Sequence, residues 1–247
     1  MGVTEIVKHH GILKAVPYAF CRLLQRFVIF DWTHVMIKDV TAVEYGDSNL
    51  EVECRFLTED EVREFARDAT NEIDPILADR LKHGYDFCFG GLVDGELAGY
   101  CWLALHSIEA EHNRSGESPL SGVAFSYPEN CAFRYKGFTH PRFRGQRIYQ
   151  TIGTEASLAM QELGVQYVIS TAEAVNYAAL KSSYRCGFRK VGNCVIAGAG
   201  ERVGVWAPNL TSRGIHIGKT ATVLDRASIP EAPAIERVDR EPVMAGL

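Results

Sequence analysis

The chain has 247 residues, of which 47% are hydrophobic and 23% charged, and such a chain can bury a core without disulfides or metal. The formal net charge of −5 and the isoelectric point near 5.9 argue against nucleic acid as the main partner. Seven cysteines are scattered without a CxxC pair. This spacing predicts buried, reduced thiols in a cytoplasmic protein and no structural zinc site.

The first 45 residues form a segment of their own character. Apolar side chains recur at helical spacing over residues 5–26, and four basic residues lie among them. A basic amphipathic helix of this kind can lie on a membrane surface, or it can pack on its own domain or on a second subunit in a homodimer. In residues 27–43 apolar and polar side chains alternate, and β-branched and aromatic residues are frequent. This pattern predicts extended chain. We therefore predict an N-terminal helix and extended segment over residues 1–45.

The next part of the chain contains two short-range signals. Thr58 and Glu61 have the spacing of a helix-capping box. Asp94-Gly95 joins two apolar runs and is a strong hairpin signal. The predicted elements are, in order, a strand over 50–57, helices over 58–69 and 75–82, hairpin strands over 85–93 and 96–105, and a polar surface loop over 106–121.

The second half of the chain continues with a strand over 131–139, a helix over 145–163, a strand over 166–171, a helix over 176–186, and strands over 188–197 and 202–206. Antiparallel hairpins thus surround one strand–helix–strand–helix unit. This order predicts a mixed-sheet α/β (α+β) fold and not a doubly wound parallel sheet. We place the catalytic domain at 46–208. Over residues 209–247 apolar residues no longer recur at regular spacing, and three prolines lie among charged residues. We predict a flexible C-terminal tail there.

The sharpest chemical feature lies where the predicted strand 131–139 runs into the following helix. The turn between them contains Arg142, Arg144, Gly145 and Arg147. The N-terminus of a helix presents free backbone N–H groups and a positive dipole, and glycine permits a phosphate to approach closely. The turn therefore predicts a pyrophosphate site, although neither GxxxxGK[ST] nor a GxGxxG after a strand is present.

This turn resembles the acyl-CoA-binding loop of the GNAT superfamily of acyltransferases, in which Gln or Arg is followed at fixed spacing by Gly and then by Gly or Ala. Arg142 and Gly145 match the first two positions, whereas Arg147 departs from the third. Residues 176–188 resemble the second motif of the family, with Asn176 and the Gly187-Phe188 pair in register. The resemblance implies a GNAT-type fold with an N-terminal helical extension, in which two parallel strands splay apart to admit the pantetheine arm of the cofactor.

The resemblance also implies a set of site residues. Acetyl-CoA, or another acyl-CoA, is the implied co-substrate, and no metal is required. The implied cofactor-binding residues are Phe138, Thr139, Arg142, Phe143, Arg144, Gly145, Gln146, Arg147, Ile148 and Asn176.

The acid and the base are less well defined. The family often places a tyrosine acid four residues before the Gly-Phe pair, where this chain has Ser183, with Tyr184 one position later. Successive helical residues point about 100° apart, so Ser183 and Tyr184 cannot both reach the same sulfur atom. Tyr184 is the chemically better candidate for the acid, with Ser183 or a bound water as the alternatives. Glu173 is the preferred candidate for the base, with Glu129 and His140 as alternatives.

Taken together, the motifs imply an N-acetyltransferase that acts on a primary amine of a small molecule, such as an amino sugar or an amino acid. Two alternatives remain: a long-chain N-acyltransferase that uses acyl carrier protein, and a GNAT-like acyl-CoA-binding module without catalysis.

Overall fold

The computed structural model describes residues 3–41, 48–81, 86–105, 107–108, 123–199 and 202–218. The described helices are α1 Val3–His10, α2 Ile12–Leu24, α3 Glu59–Phe65, α4 Pro75–Leu81, α5 Ile148–Glu162 and α6 Tyr177–Arg185. The described strands are β1 Ile29–Asp39, β2 Glu53–Phe56, β3 Asp86–Val93, β4 Glu96–Leu105, β5 Ser107–Ile108, β6 Ala124–Ser126, β7 Cys131–Thr139, β8 Tyr167–Glu173, β9 Arg189–Ala199, β10 Arg202–Trp206 and β11 His216–Gly218.

The strands of the described residues form a large mixed sheet and a small one. The large sheet has the order β10-β9-β1-β8-β7-β4-β3-β2, and the small sheet has the order β11-β6-β5. Within the large sheet, β7 and β8 pair in parallel and their neighbours pair antiparallel. A parallel pair needs a crossover, and α5 provides it. The mixed α/β class predicted from the sequence is confirmed.

Helices cover both faces of the large sheet. Val62 of α3 and Leu77 of α4 pack on the face that carries Trp102. Ile152 of α5 and Leu180 of α6 pack on the opposite face. In the described part of the chain, no helix is long and apolar enough to cross a lipid bilayer.

Several local signals act as the sequence predicts. Thr58 and Glu61 form the capping box of α3, with each side chain bonded to the backbone of the other residue. Asp94 and Gly95 both have positive φ, 51° and 80°, as the tight turn between β3 and β4 requires. Gly164, with φ of 82°, ends α5. Most of the predicted polar loop 106–121 lies outside the described residues.

Two helices differ from the prediction. The single helix predicted over residues 5–26 is two helices. Gly11, with φ of 83°, interrupts the helical backbone between α1 and α2. The helix predicted to start at residue 145 starts at Ile148. Gly145 and Arg147 have φ of 82° and 61°, and neither value is compatible with a right-handed helix.

The extended segment near the N-terminus lies inside the large sheet. β1 pairs with β8 on one side and with β9 on the other. The boundary predicted at residue 45 therefore does not separate two packing units, because β1 contributes Val35 and Met36 to the cores on both faces.

The chain also remains packed beyond the predicted domain end at residue 208. Leu210 and Ile215 are buried in the core, and β11 pairs with β6. The side chain of Leu210 fills the space over Gly192, where an added Cβ would lie 2.5 Å from Leu210 Cδ2. The part of the predicted tail from residue 219 onward lies outside the described residues.

Candidate active site

The site is a fork between the two parallel strands. β7 and β8 pair from Cys131 opposite Tyr167 as far as Arg134 opposite Ser170. Their pairing stops there, although β7 continues to Thr139 and β8 to Glu173. The strands therefore part in the middle of the sheet beyond Ser170, and the family resemblance implies a parallel pair that splays apart in this way.

A bulge in β7 accompanies this opening. Trp102 pairs with Lys136 and Leu103 pairs with Arg134, which leaves Tyr135 as an extra residue on β7. A bulge bends its strand and leaves the extra residue outside the ladder. The bulge thus coincides with the point where β7 leaves β8.

A buried polar network that the sequence did not reveal fixes the bulge. The Asp86 carboxylate is fully buried, accepts a hydrogen bond from the Tyr135 hydroxyl at 2.7 Å, and forms a two-pronged ion pair with Arg80. Burial raises the pKa of Tyr135 well above its ordinary value, and the neighbouring carboxylate raises it further. The phenol therefore stays protonated and continues to donate to Asp86. Asp86 stands in an apolar run, so sequence pattern alone gave no reason to select it.

The fork exposes backbone groups of β7. The amide of His140 donates to the carbonyl of Ala98 on β4, and in the same register Phe138 pairs with Tyr100. Backbone groups alternate in direction along a strand, so those of Phe138 face β4. Thr139 lies between these two positions and Gly137 lies one residue before Phe138, so both direct their backbone groups toward the fork. Among the predicted pantetheine contacts, this geometry favours Thr139 over Phe138 and adds Gly137.

The loop after β7 leads to the free N-terminus of α5. Residues Pro141–Phe143 form one 3₁₀ turn, and Arg147, the N-cap of α5, makes no side-chain capping bond. The first amides of this 15-residue helix are therefore not capped by a side chain. A Cβ on Gly145 would have no heavy atom within 4 Å, so the surface there is open. The arrangement fits an anionic group such as a pyrophosphate.

The predicted loop residues divide into two kinds. Phe143 and Ile148 are buried and anchor the loop in the core beneath α5. Arg144 and Arg147 are exposed, and Arg144 Nε donates to the carbonyl of Thr139 at 3.2 Å. The third arginine of the loop, Arg142, forms an ion pair with Glu96 and stacks on the Phe143 ring. These contacts hold the loop against its surroundings.

The predicted residues on α6 take different positions. Asn176 caps the helix by accepting a hydrogen bond from the amide of Ala179 at 3.1 Å. Ser183 is buried, whereas Tyr184 is 46% exposed. The two side chains therefore point in different directions, as their spacing on a helix predicts.

The three candidate bases lie in separate places. Both carboxylate oxygens of Glu173, at the end of β8, accept hydrogen bonds from Arg22, and one also accepts from Gln25. Glu129 is exposed in the turn before β7, at the end of that strand far from the fork. His140 accepts from the amide of Arg142 at 3.3 Å and lies 3.3 Å from the Thr70 hydroxyl.

A tyrosine that the motif comparison passed over lies directly over the fork-facing part of β7. A Cβ added to Gly137 would lie 2.8 Å from the Tyr149 hydroxyl, so the ring covers this glycine. Within the described residues the Tyr149 hydroxyl has no hydrogen-bond partner, and burial raises its pKa. The only sequence signal was the position of Tyr149 in the first turn of α5, directly after the loop that contains Gly145.

Arg134, at the vertex of the fork, accompanies this tyrosine. Its guanidinium carbon lies 5.0 Å from the centre of the Tyr149 ring and 4.4 Å from that of Phe188. The side chain is buried, and no carboxylate of the described residues pairs with it. Its positive charge opposes the effect of burial on the pKa of Tyr149. Positive charge and a free phenol thus meet on the α5 side of the fork.

No group of His, Cys, Asp and Glu within the described ranges is placed to hold a metal ion. All seven thiols are free, and six of them are buried. Burial raises the pKa of Cys101 to about 12, which keeps that thiol protonated and unreactive at neutral pH.

Comparisons with known proteins give likenesses to solved structures. An acetyltransferase of the GNAT family from Colwellia psychrerythraea is 16% identical, with a TM-score of 0.47 over 68% of this chain and 56% of that chain. A putative GNAT acetyltransferase from Novosphingobium aromaticivorans is 19% identical, with a TM-score of 0.47 over 69% of this chain and 65% of that chain. An aminoglycoside acetyltransferase from an uncultured soil sample, in complex with sisomicin, is 17% identical, with a TM-score of 0.40 over 55% of this chain and 86% of that chain.

The chain thus spans 56% and 65% of the lengths of the first two structures, which is less than two thirds of each. No protein-family model and no curated protein matches the chain. The mixed sheet and the parallel strand pair that splays apart agree with the fold that the sequence resemblance implied, whereas the bulge in β7 was not predicted.

Proposed function

We propose that the chain is an N-acetyltransferase of the GNAT type, which transfers the acetyl group of acetyl-CoA to a primary amine of a small molecule. The observation that carries the proposal is the fork between β7 and β8, which opens beside the uncapped N-terminus of α5. A strand pair with free backbone groups and a helix N-terminus supply the two surfaces that an acyl-CoA needs, one for its pantetheine amides and one for its phosphates.

The residues present fit this co-substrate. The amides of Gly145, Gln146 and the first turn of α5 would hold the pyrophosphate, and Arg144 and Arg147 would add positive charge beside it. The backbone groups of Gly137 and the amide of Thr139, whose carbonyl already accepts from Arg144, would receive the pantetheine amides. When bound, acetyl-CoA supplies an activated acyl group as a thioester.

As the amine nitrogen bonds to the acetyl carbon and the C–S bond breaks, a base or water has to take the amine proton and an acid has to protonate the departing thiolate. Tyr149 is our candidate for the acid, because its hydroxyl lies over Gly137 and is not bonded to another described group. A phenol is protonated at neutral pH, and burial raises the pKa of Tyr149 further, so the proton is present on the hydroxyl. Arg134 lies on the same side of the fork, where its charge would stabilise negative charge that develops on sulfur.

The experiment measures binding and turnover separately. Calorimetry with acetyl-CoA should show binding, and a thiol-release assay should show turnover with at least one member of a panel of amino sugars and amino acids. Gly145→Asp serves as the variant without binding. Binding without turnover across the panel would favour a binding module, and turnover only with acylated carrier protein would favour the long-chain alternative. Absence of acetyl-CoA binding by the unaltered chain contradicts the proposal.

A further inference from the structure

The two N-terminal helices have a buried face that fixes them to the domain. Ile6 of α1 and Ala15, Tyr18 and Cys21 of α2 are buried against Val175. Two further contacts hold α2 in place: the Tyr177 hydroxyl donates to the carbonyl of Lys14 at 2.9 Å, and Arg22 pairs with Glu173. The helix cannot roll about its axis without losing these contacts, so the residues on its other side are held outward.

That outward side is apolar. Large hydrophobic side chains that are more than half exposed form a stripe along α2 and the turn after it: Ile12, Leu13, Val16, Phe20, Leu23 and Phe27. Leu13 is 88% exposed and Phe27 is 78% exposed. At 100° per residue, the five members within α2 fall in an arc of about 100°, on the side opposite to Ala15, Tyr18 and Cys21. A contiguous exposed apolar stripe of this kind marks an interaction surface.

The charge around the stripe identifies the partner. The first 28 residues carry four basic side chains and one acidic, whereas the whole chain carries 26 basic and 31 acidic. Lys8, Lys14 and Arg26 thus give the N-terminal helices a positive charge within an acidic protein, whereas the charge of Arg22 is paired with Glu173. An apolar stripe with basic neighbours is complementary to a lipid surface that contains anionic headgroups.

The shape of the surface agrees with this partner. The stripe lies on one convex helix, and a bilayer surface accommodates any convex apolar ridge, whereas a protein partner needs a groove that matches it. A helix of 13 residues is about 20 Å long, shorter than the ~30 Å hydrocarbon core, and this length suits a helix that lies in the interface.

We propose that α1 and α2 dock the protein on an anionic membrane surface, with the stripe from Ile12 to Phe27 inserted among the lipid headgroups and acyl chains. The inference is independent of the acetyl transfer proposed above, since it rests on residues outside the fork.

Flotation with lipid vesicles tests the proposal. The intact chain should bind phosphatidylcholine–phosphatidylglycerol vesicles and bind pure phosphatidylcholine vesicles much more weakly. The double variant Leu13→Gln/Phe20→Gln should lower binding to the anionic vesicles at least about tenfold, because each side chain contributes apolar area. Both side chains are exposed, so the fold and the melting temperature should be unchanged.

Two further variants sharpen the result. Trp206→Gln removes an equally exposed aromatic side chain on β10 and should leave vesicle binding unchanged. Lys8→Glu/Arg26→Glu keeps the stripe but reverses two charges, and it should weaken binding to anionic vesicles on the order of tenfold.

The proposal is overturned if the intact chain does not bind anionic vesicles, if it binds neutral vesicles equally well, or if the double glutamine variant still binds. It is also overturned if sedimentation shows that the intact chain is a dimer, that the double glutamine variant is a monomer, and that neither protein binds vesicles. In that case the stripe is an interface between two copies of the chain.

Discussion

Arg22 of α2 contacts both carboxylate oxygens of Glu173, 151 positions further along the chain, with N–O distances of 3.2 and 2.9 Å. The ion pair joins the N-terminal helices to the end of β8, where that strand borders the fork. To accept a proton from a substrate amine, the Glu173 carboxylate would have to leave Arg22 and Gln25. The geometry therefore favours a structural role for Glu173 over the role of general base.

Glu173→Gln distinguishes these roles. We expect a change in kcat of no more than about threefold and a loss of stability of up to about 1 kcal/mol, as is typical of a partly exposed ion pair. Arg22→Gln should give the same loss of stability, because it breaks the same pair. Steady-state kinetics and thermal melts measure both quantities. A fall in kcat of about 10²-fold or more in Glu173→Gln alone would restore Glu173 as the base.

Gly145→Asp should weaken acetyl-CoA binding on the order of a hundredfold or more. The new carboxylate would stand beside the phosphates, where like charges repel and cost several kcal/mol. Gly164→Asp is a matched control, since Gly164 has the same φ of 82° and equally open space around its Cα, but lies at the other end of α5. Calorimetry should show that only the Gly145 variant loses binding. Equal affinities for the two variants would show that the phosphates bind elsewhere.

Tyr149→Phe should lower kcat by about 10²- to 10⁴-fold with little change in acetyl-CoA affinity, because it removes an acid and keeps the ring. The alkaline fall in rate that a phenol acid imposes should disappear. Tyr184→Phe and Ser183→Ala are compared in the same assay and should cost little in rate. If Tyr184→Phe carries the large loss and Tyr149→Phe does not, the acid belongs to α6, as the family motif implies.

Removal of the chain after Trp206 should destabilise the fold, because Leu210 and Ile215 are buried in the core. Leu210→Ala alone should cost about 2–5 kcal/mol, since it opens a cavity over Gly192. A chain that ends after Gly218 keeps all described contacts and is the control. Chemical denaturation measures the differences. Equal stability of the chain cut after Trp206 and the control would show that these contacts do not contribute.

We expect the free energy of unfolding to fall at mildly acidic pH because of His34. Burial, and secondarily Lys190, lowers the pKa of His34 to about 4. An unfolded histidine takes up a proton near pH 6.5. Between pH 6.5 and 4 the unfolded chain therefore binds a proton that the folded chain excludes, so stability is intact above pH 6.5 and falls as the pH drops through this range.

Melting temperatures between pH 7 and 5 test this, with His34→Gln as the comparison. The variant should show a flatter dependence on pH. Hydrogen bonds with Arg55 are the chief cause that lowers the pKa of Glu61 to about 2. The stabilisation of the folded chain by Glu61 is therefore lost only as the pH falls below about 4.5, outside the measured range. Parallel curves for the variant and the unaltered chain would mean that His34 titrates normally.

The sequence by itself determined the features that depend on neighbouring residues. Thr58 with Glu61, Asp94 with Gly95, and Gly164 act through local hydrogen bonds and backbone φ, so their roles could be predicted from spacing alone. The loop around Gly145 was found for the same reason, because a helix N-terminus and a glycine turn are local structures.

Tertiary structure decided which distant residues meet. The insertion of β1 between β8 and β9, the burial of Leu210, and the Asp86–Tyr135 contact join segments far apart in sequence. Hydrophobic periodicity specifies that a face is buried, but it does not specify against what. For the same reason the sequence marked the helical pattern of residues 5–26, whereas only the packed structure showed that α2 buries Ala15 and Tyr18 and holds Leu13 and Phe20 outward.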